Sequence, residues 1–167
     1  MYDQLTPSDI KKMEEEIEHR KLVVRPKALE DVKEARAQGD LSENFEYYAA
    51  KKFKNQNESR IRYLERMIQT AKVISAGSQE DVVGLFDTVV VFNEKLQKEM
   101  TLRLVTALRA DTRKGLISKE SPVGQALLGR KAGETVRVKV SDSMQYDMVI
   151  RSIEKGEDDA SIPISSF

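Results

Sequence analysis

GDLSENFEYYAAKK, Gly39 to Lys52, decides how the chain is read. It interrupts two long charged segments of helical period. Gly39 ends the first as a C-terminal glycine does, and Asp40 and Glu43 lie where the second begins. Helical arms joined by so short a break must run antiparallel, which predicts a hairpin with this segment as its tip. A tip has little to bury against, so carboxylates there are presented outward.

The flanks support two arms. Thr6-Pro7-Ser8-Asp9 supplies a capping side chain and a proline for a first turn. Ile10, Met13, Ile17, Val24, Ala28, Val32 and Ala35 then form a narrow apolar seam of coiled-coil width, with Arg20 inside it. Pro26 removes a backbone donor and predicts a bend. The second arm, about Ser42 to Ala76, predicts a seam of Ala50, Phe53, Leu64, Met67, Ala71 and Ile74. Asn57 and Arg60 interrupt it, as polar residues that fix register do.

Beyond Gly77-Ser78-Gln79 the period changes. Val82–Phe86, Thr88–Phe92, Met100–Leu108, Thr135–Val140 and Tyr146–Ile153 read as strands, with Leu102, Leu104 and Thr106 on one face. Ser121-Pro122 opens a short helix to Leu128, closed by Gly129. The expected fold is α+β: an antiparallel coiled-coil hairpin over 1–77, then an antiparallel sheet with one short helix over 78–155. The acidic, then Ser- and Pro-containing segment 156–167 is expected to be a loose tail.

Twenty-eight Lys and Arg balance twenty-eight Asp and Glu, so any attraction to nucleic acid or membrane must be local. No cysteine is present, which excludes a disulfide scaffold and Cys-type zinc sites. With a single histidine, His19, a Ser-His or Cys-His enzyme is hard to build. There is no phosphate-binding or dinucleotide fingerprint, and nothing points to a small-molecule substrate. No apolar run approaches the roughly 20 residues that span a bilayer, and the N-terminus lacks a signal-peptide core. A cytoplasmic protein without membrane association is expected.

Asp40 and Glu43 admit two readings. One is a capping box at the start of the second helix, with Asp40 as cap and Glu43 reaching back. The other is a pair of oxygen ligands for Mg²⁺, an ion that keeps several waters and accepts one or two protein carboxylates. Two carboxylates make no tight site, so other ligands would come from a partner. Ser42, Phe45, Glu46 and Tyr48 are candidate contacts of the tip, and an exposed ring there suits stacking on a base. From Ala49 to Ser75, seven basic residues face two acidic ones. Lys51, Lys52, Lys54 and Arg60 are the candidate nucleic-acid contacts, since a basic flank beside an acidic tip would guide a phosphate backbone toward a metal.

GDLSENFEYYAAKK and, downstream, ISKESPVGQALLGRKAGETVRV (Ile117–Val138) together resemble the bacterial Gre transcript-cleavage factors. The resemblance runs from about Leu5 to Ile153 and takes in Arg25-Pro26 and the Ala-Arg-Ala-Gln-Gly-Asp approach to the tip. It implies a hairpin that enters the secondary channel of bacterial RNA polymerase and an FKBP-like C-terminal domain. By the same resemblance, Asp40 and Glu43 help hold a second Mg²⁺ in the polymerase active site. The extruded RNA 3′ end of a backtracked complex is then cleaved by the polymerase, and the factor is no enzyme by itself. Phe45 stands where the family has a small residue, and Tyr48 where it often has histidine. These departures keep open a Gre-like channel regulator that does not stimulate cleavage. A structural coiled-coil adaptor is the third reading.

Overall fold

A computed structural model describes residues 4–39, 43–75 and 79–166. The described residues through Asp9 and from Lys72 onward form one compact unit, and Ile10–Ala71 form the other. Strand β1, Gln4–Leu5, pairs in parallel with β2, Lys72–Val73, which joins both chain segments to the globular unit. Neither strand has the length that makes a period visible in sequence.

Helix α1, Pro7–His19, opens with a capping box. Thr6 Oγ1 accepts from Asp9 N at 3.2 Å, and Asp9 Oδ2 accepts from Thr6 N at 3.0 Å. A π-helical stretch, Arg20–Val24, leads into α2, Arg25–Ala37. The fault expected at Pro26 is met by this widening, with helical dihedrals retained at Val24 and Arg25. Helix α3, Phe45–Gln69, runs back along these segments. Its contacts climb as theirs descend: Tyr47 meets Arg36, Glu58 meets Arg25, and Arg60 meets Glu16.

The hairpin seam is apolar at intervals and charged in the middle. Met13, Ala28, Ala35, Ile61, Leu64 and Met67 are buried, whereas Phe53 is 52% exposed and lies off the seam it was expected to join. Between the apolar contacts, Glu16 accepts from Arg60 at 2.7 and 3.1 Å and from Arg20 at 2.8 Å. Arg20 donates onward to Asn57 Oδ1 at 3.0 Å. The π stretch takes part: the Arg20 carbonyl accepts from Arg25 N across the wide turn and from Asn57 Nδ2 at 3.3 Å. Burial alone would raise the Glu16 carboxyl, but the Arg60 and Arg20 hydrogen bonds outweigh it and hold it below the usual range.

The globular unit is built on a mixed sheet of β3 (Thr88–Asn93), β4 (Lys98–Val105), β5 (Leu116–Ser118), β6 (Thr135–Lys139) and β7 (Gln145–Glu154). The spatial order is β5-β4-β3-β7-β6. The pairings are antiparallel except β4 with β5, which is parallel. Strand alternation turns Val89, Val91, Leu102, Leu104, Val136, Val138, Met148 and Ile150 to one face, where Leu127 packs on them. Leu127 comes from α4, Pro122–Leu127, capped by Ser121 Oγ accepting from Gly124 N at 3.0 Å.

Val82–Phe86 is not a strand. Phe86 takes φ 69°, and Asp87 Oδ2 accepts from Gly84 N at 2.7 Å, so the segment folds into a turn although Val83, Leu85 and Phe86 are buried. The segment after β7 is docked instead of loose. Ile162 is buried with Leu85, Phe86 and Val105, Ser165 N donates to Leu108 O at 2.7 Å, and Asp158 and Asp159 pair with Arg109 and Arg103. Its composition reads as disorder because the groups that hold it are charges matched elsewhere in the fold.

Candidate functional site

The tip is shaped by Asn44. It is the N-cap of α3, with Oδ1 accepting from Tyr47 N at 3.0 Å and Nδ2 donating to Ala35 O at 2.6 Å. One amide thus starts α3 and closes it onto the end of α2. Sequence reasoning passed over this residue in favour of Asp40, although Asn ranks beside Asp as a cap and precedes the helical run directly.

That placement decides the role of Glu43. It precedes the cap and is exposed, so it is not the third residue of α3 and makes no reach-back bond in a box there. Asp40 and Ser42 lie outside the described residues. Among the described residues, no group of three or more acidic, His or Cys side chains is placed to hold a metal ion. Glu46 is exposed in the first turn of α3, at its positive end, and lines a shallow hollow with Asp31 and Glu34.

The aromatic residues divide between inside and outside. Tyr47 is buried, its Oη accepting from Arg36 at 3.4 Å and its ring flanked by Arg36 and Lys51. The Arg36 hydrogen bond holds its phenol below the ordinary value, against a smaller opposing effect of desolvation. Tyr48 packs edge-on against that ring, with centroids 5.5 Å apart, and remains 51% exposed. Phe45 is 84% exposed.

The basic flank is smaller than expected. Lys51 and Lys52 are exposed and Lys54 is half-buried. Arg60 is 2% exposed and donates to Glu16 through Nε and Nη2, so it is a hairpin residue and is withdrawn from the candidate nucleic-acid surface. Its neighbours Glu58 and Glu65 are paired across the hairpin with Arg25 and Lys21. These cross-pairs neutralise the acids of α3 beyond its first turn and leave the outer face positive.

Fold and tip define a two-part α+β protein, a helical hairpin with an acidic end joined to a sheet domain with one short helix. The N-terminal model of transcription elongation factors matches residues 3–73, and the GreA/GreB C-terminal model matches residues 78–155. The chain belongs to the GreA/GreB family of transcription elongation factors. It is 46% identical over 140 residues to transcription elongation factor GreA of Caldanaerobacter subterraneus, covering 81% of this chain and 87% of that relative. The GreA of Streptococcus pyogenes is 41% identical over 152 residues, 90% of this chain and 94% of that one. Among solved structures, GreA factor homolog 1 of Thermus thermophilus matches at 22% identity and TM-score 0.42, over 93% of this chain and all of that one.

Proposed function

We propose that this protein is a cytoplasmic elongation factor that binds bacterial RNA polymerase, places its hairpin in the secondary channel and stimulates cleavage of backtracked RNA. It supplies side chains to the polymerase and is not itself an enzyme. The observation that carries this reading is the cap: Asn44 starts α3, and Glu43 is left exposed ahead of it with no capping duty. The donors fit the ion, since one or two carboxylates beside substrate oxygens and water suit Mg²⁺. Asp40 and Glu43 would hold it jointly with the polymerase. When bound, such an ion activates water and offsets charge in attack on a phosphodiester.

Glu43 lies directly before the cap of a first turn that is held in place. Asn44 ties the start of α3 to Ala35 and Tyr47 is pinned by Arg36, so the first turn of α3 is fixed against the end of α2. A fixed first turn lowers the entropy lost when Glu43 engages a ligand. The test is a purified polymerase stalled on a backtracked RNA. The wild-type protein shortens that RNA, and Asp40→Ala/Glu43→Ala binds the complex without shortening it. Undiminished shortening by the double variant overturns the proposal. Binding without shortening by the wild type establishes a non-cleaving regulator, the reading favoured by the bulk of Phe45 and Tyr48 at the tip.

A further inference from the structure

Phe45, Tyr48, Lys52, Asn55 and Ser59 follow one another at intervals of three and four along α3. That spacing puts them on one face of the helix. All five are exposed, and the buried positions Asn57, Ile61 and Leu64 lie on the other side. The stripe is about 21 Å long at 1.5 Å per residue. It contains no carboxylate, and Glu58 and Glu65 beside it are tied to Arg25 and Lys21.

At the tip end of the stripe stand two rings on successive turns. Phe45 alone would mean nothing, since single exposed apolar residues are ordinary. Tyr48, however, is held in place: its ring rests on Tyr47, which is pinned by Arg36. Next to it, Tyr48, Lys51, Lys52, Asn55, Gln56 and Ser59 line an open groove of about 420 Å³. Exposed aromatic faces, one of them held, followed by cations and amides are the chemistry of a single-stranded nucleic acid track, in which rings stack on bases and lysines meet phosphates.

We infer that Phe45 and Tyr48 form a base-stacking platform for the unpaired 3′ segment of RNA, which then runs along the Lys52 face of α3. The inference rests on the proposed function, because that function brings such RNA to the tip. It adds which side of the hairpin meets the RNA and that the bases, besides the phosphates, are gripped. Stacking tolerates any base, so the platform demands a base without selecting one.

The experiment measures the binding of fluorescently labelled protein to polymerase complexes backtracked on RNA with an intact or an abasic 3′ segment, with RNA cleavage scored separately. Wild type binds the intact complex at least about fivefold more tightly than the abasic one, as the stacking of one base implies. Phe45→Ala/Tyr48→Ala binds both equally, at the abasic level, and Phe45→Trp/Tyr48→Trp restores the difference. Equal binding of intact and abasic RNA by the wild type overturns the inference, as does a double-alanine variant that keeps the difference. Base-dependent binding without cleavage overturns the proposed function and leaves the platform standing. Cleavage without base dependence does the reverse, and failure to bind polymerase removes both.

Discussion

Arg109 Nε lies 2.6 Å from Asp9 Oδ1, and both side chains are fully shielded from solvent. The contact is an ion pair off the line of an N–H···O hydrogen bond. Around it the same guanidinium donates to Ser8 Oγ at 2.6 Å, Asp158 Oδ1 at 2.7 Å and the Asp159 carbonyl at 3.1 Å, over the ring of Phe86. One cation therefore gathers the start of α1, the turn after β4 and the segment beyond β7. The match to the C-terminal family model ends at residue 155, short of Asp158 and Asp159.

Removing one partner of such a pair leaves a buried charge unanswered. Arg109→Met is expected to destabilise the globular unit by about 3–5 kcal/mol in urea denaturation. Ending the chain after Gly156 removes Asp158, Asp159 and the buried Ile162 together, and is expected to cost about 2–4 kcal/mol from one apolar side chain and weakened pairing. A truncated chain as stable as the full one would mean that the docked segment contributes nothing.

The hairpin should be sensitive to acid. Glu16 is lowered against the effect of burial by Arg60 and Arg20, and Glu58 is lowered by its hydrogen bonds from Arg25, against a smaller desolvation effect. For groups depressed on folding, the stabilisation is fully present above the unfolded value, 4.5 for both, and is lost as pH falls through the folded one. Far-ultraviolet circular dichroism during thermal melts, repeated from neutral pH to about pH 2, should show a hairpin transition that falls below this range. In Glu16→Gln the fall should be shallower from a lower starting point. An unchanged acid profile in that variant would remove Glu16 as the titrating group.

Gly124 is fixed by closeness. A Cβ built there would lie 2.1 Å from the Ser118 carbonyl oxygen and 2.8 Å from Lys119 Cα, both backbone atoms. Helix α4 sits this near because Ser121 caps it within a turn of β5. Gly124→Ala must push the helix away from the sheet, losing the seat of Leu127, and is expected to destabilise by about 1–3 kcal/mol. Leu127→Ala tests the same packing from the other side, and the two losses should be less than additive because they share one contact.

Legibility in the sequence followed the range of the forces involved. The two periods, 3.6 and 2, announced the hairpin arms and most strands, and Ser121-Pro122 announced α4, because these signals are local. The β1–β2 pair and the docked segment after β7 are decided by partners distant in sequence, whereas the turn at Val82–Phe86 is set by Asp87 and the positive φ of Phe86 inside an apolar run that reads as strand. The expected seam includes Phe53, whereas the contacts that set the α3 register are Asn57 with Arg20 and Arg60 with Glu16. At the tip, the two hydrogen bonds of Asn44 establish where α3 begins, and one of them reaches back nine residues to Ala35, beyond what local spacing displays.

Arg60 and Lys52 look alike in composition and should behave differently. Arg60 is buried against Glu16, so Arg60→Met should lower the stability of the hairpin by about 3 kcal/mol, near the low end for breaking a buried pair. Arg60→Met/Glu16→Leu should recover part of that loss, since no charge is left buried. Lys52 is exposed on the outer face of α3. Lys52→Gln should leave the melting transition within about 0.5 kcal/mol of wild type. It should nevertheless weaken binding to a backtracked polymerase complex and lower the slope of log affinity against log salt by about 1, the signature of one lost phosphate contact. If instead Lys52→Gln binds with the wild-type salt slope, the RNA does not pass along this face.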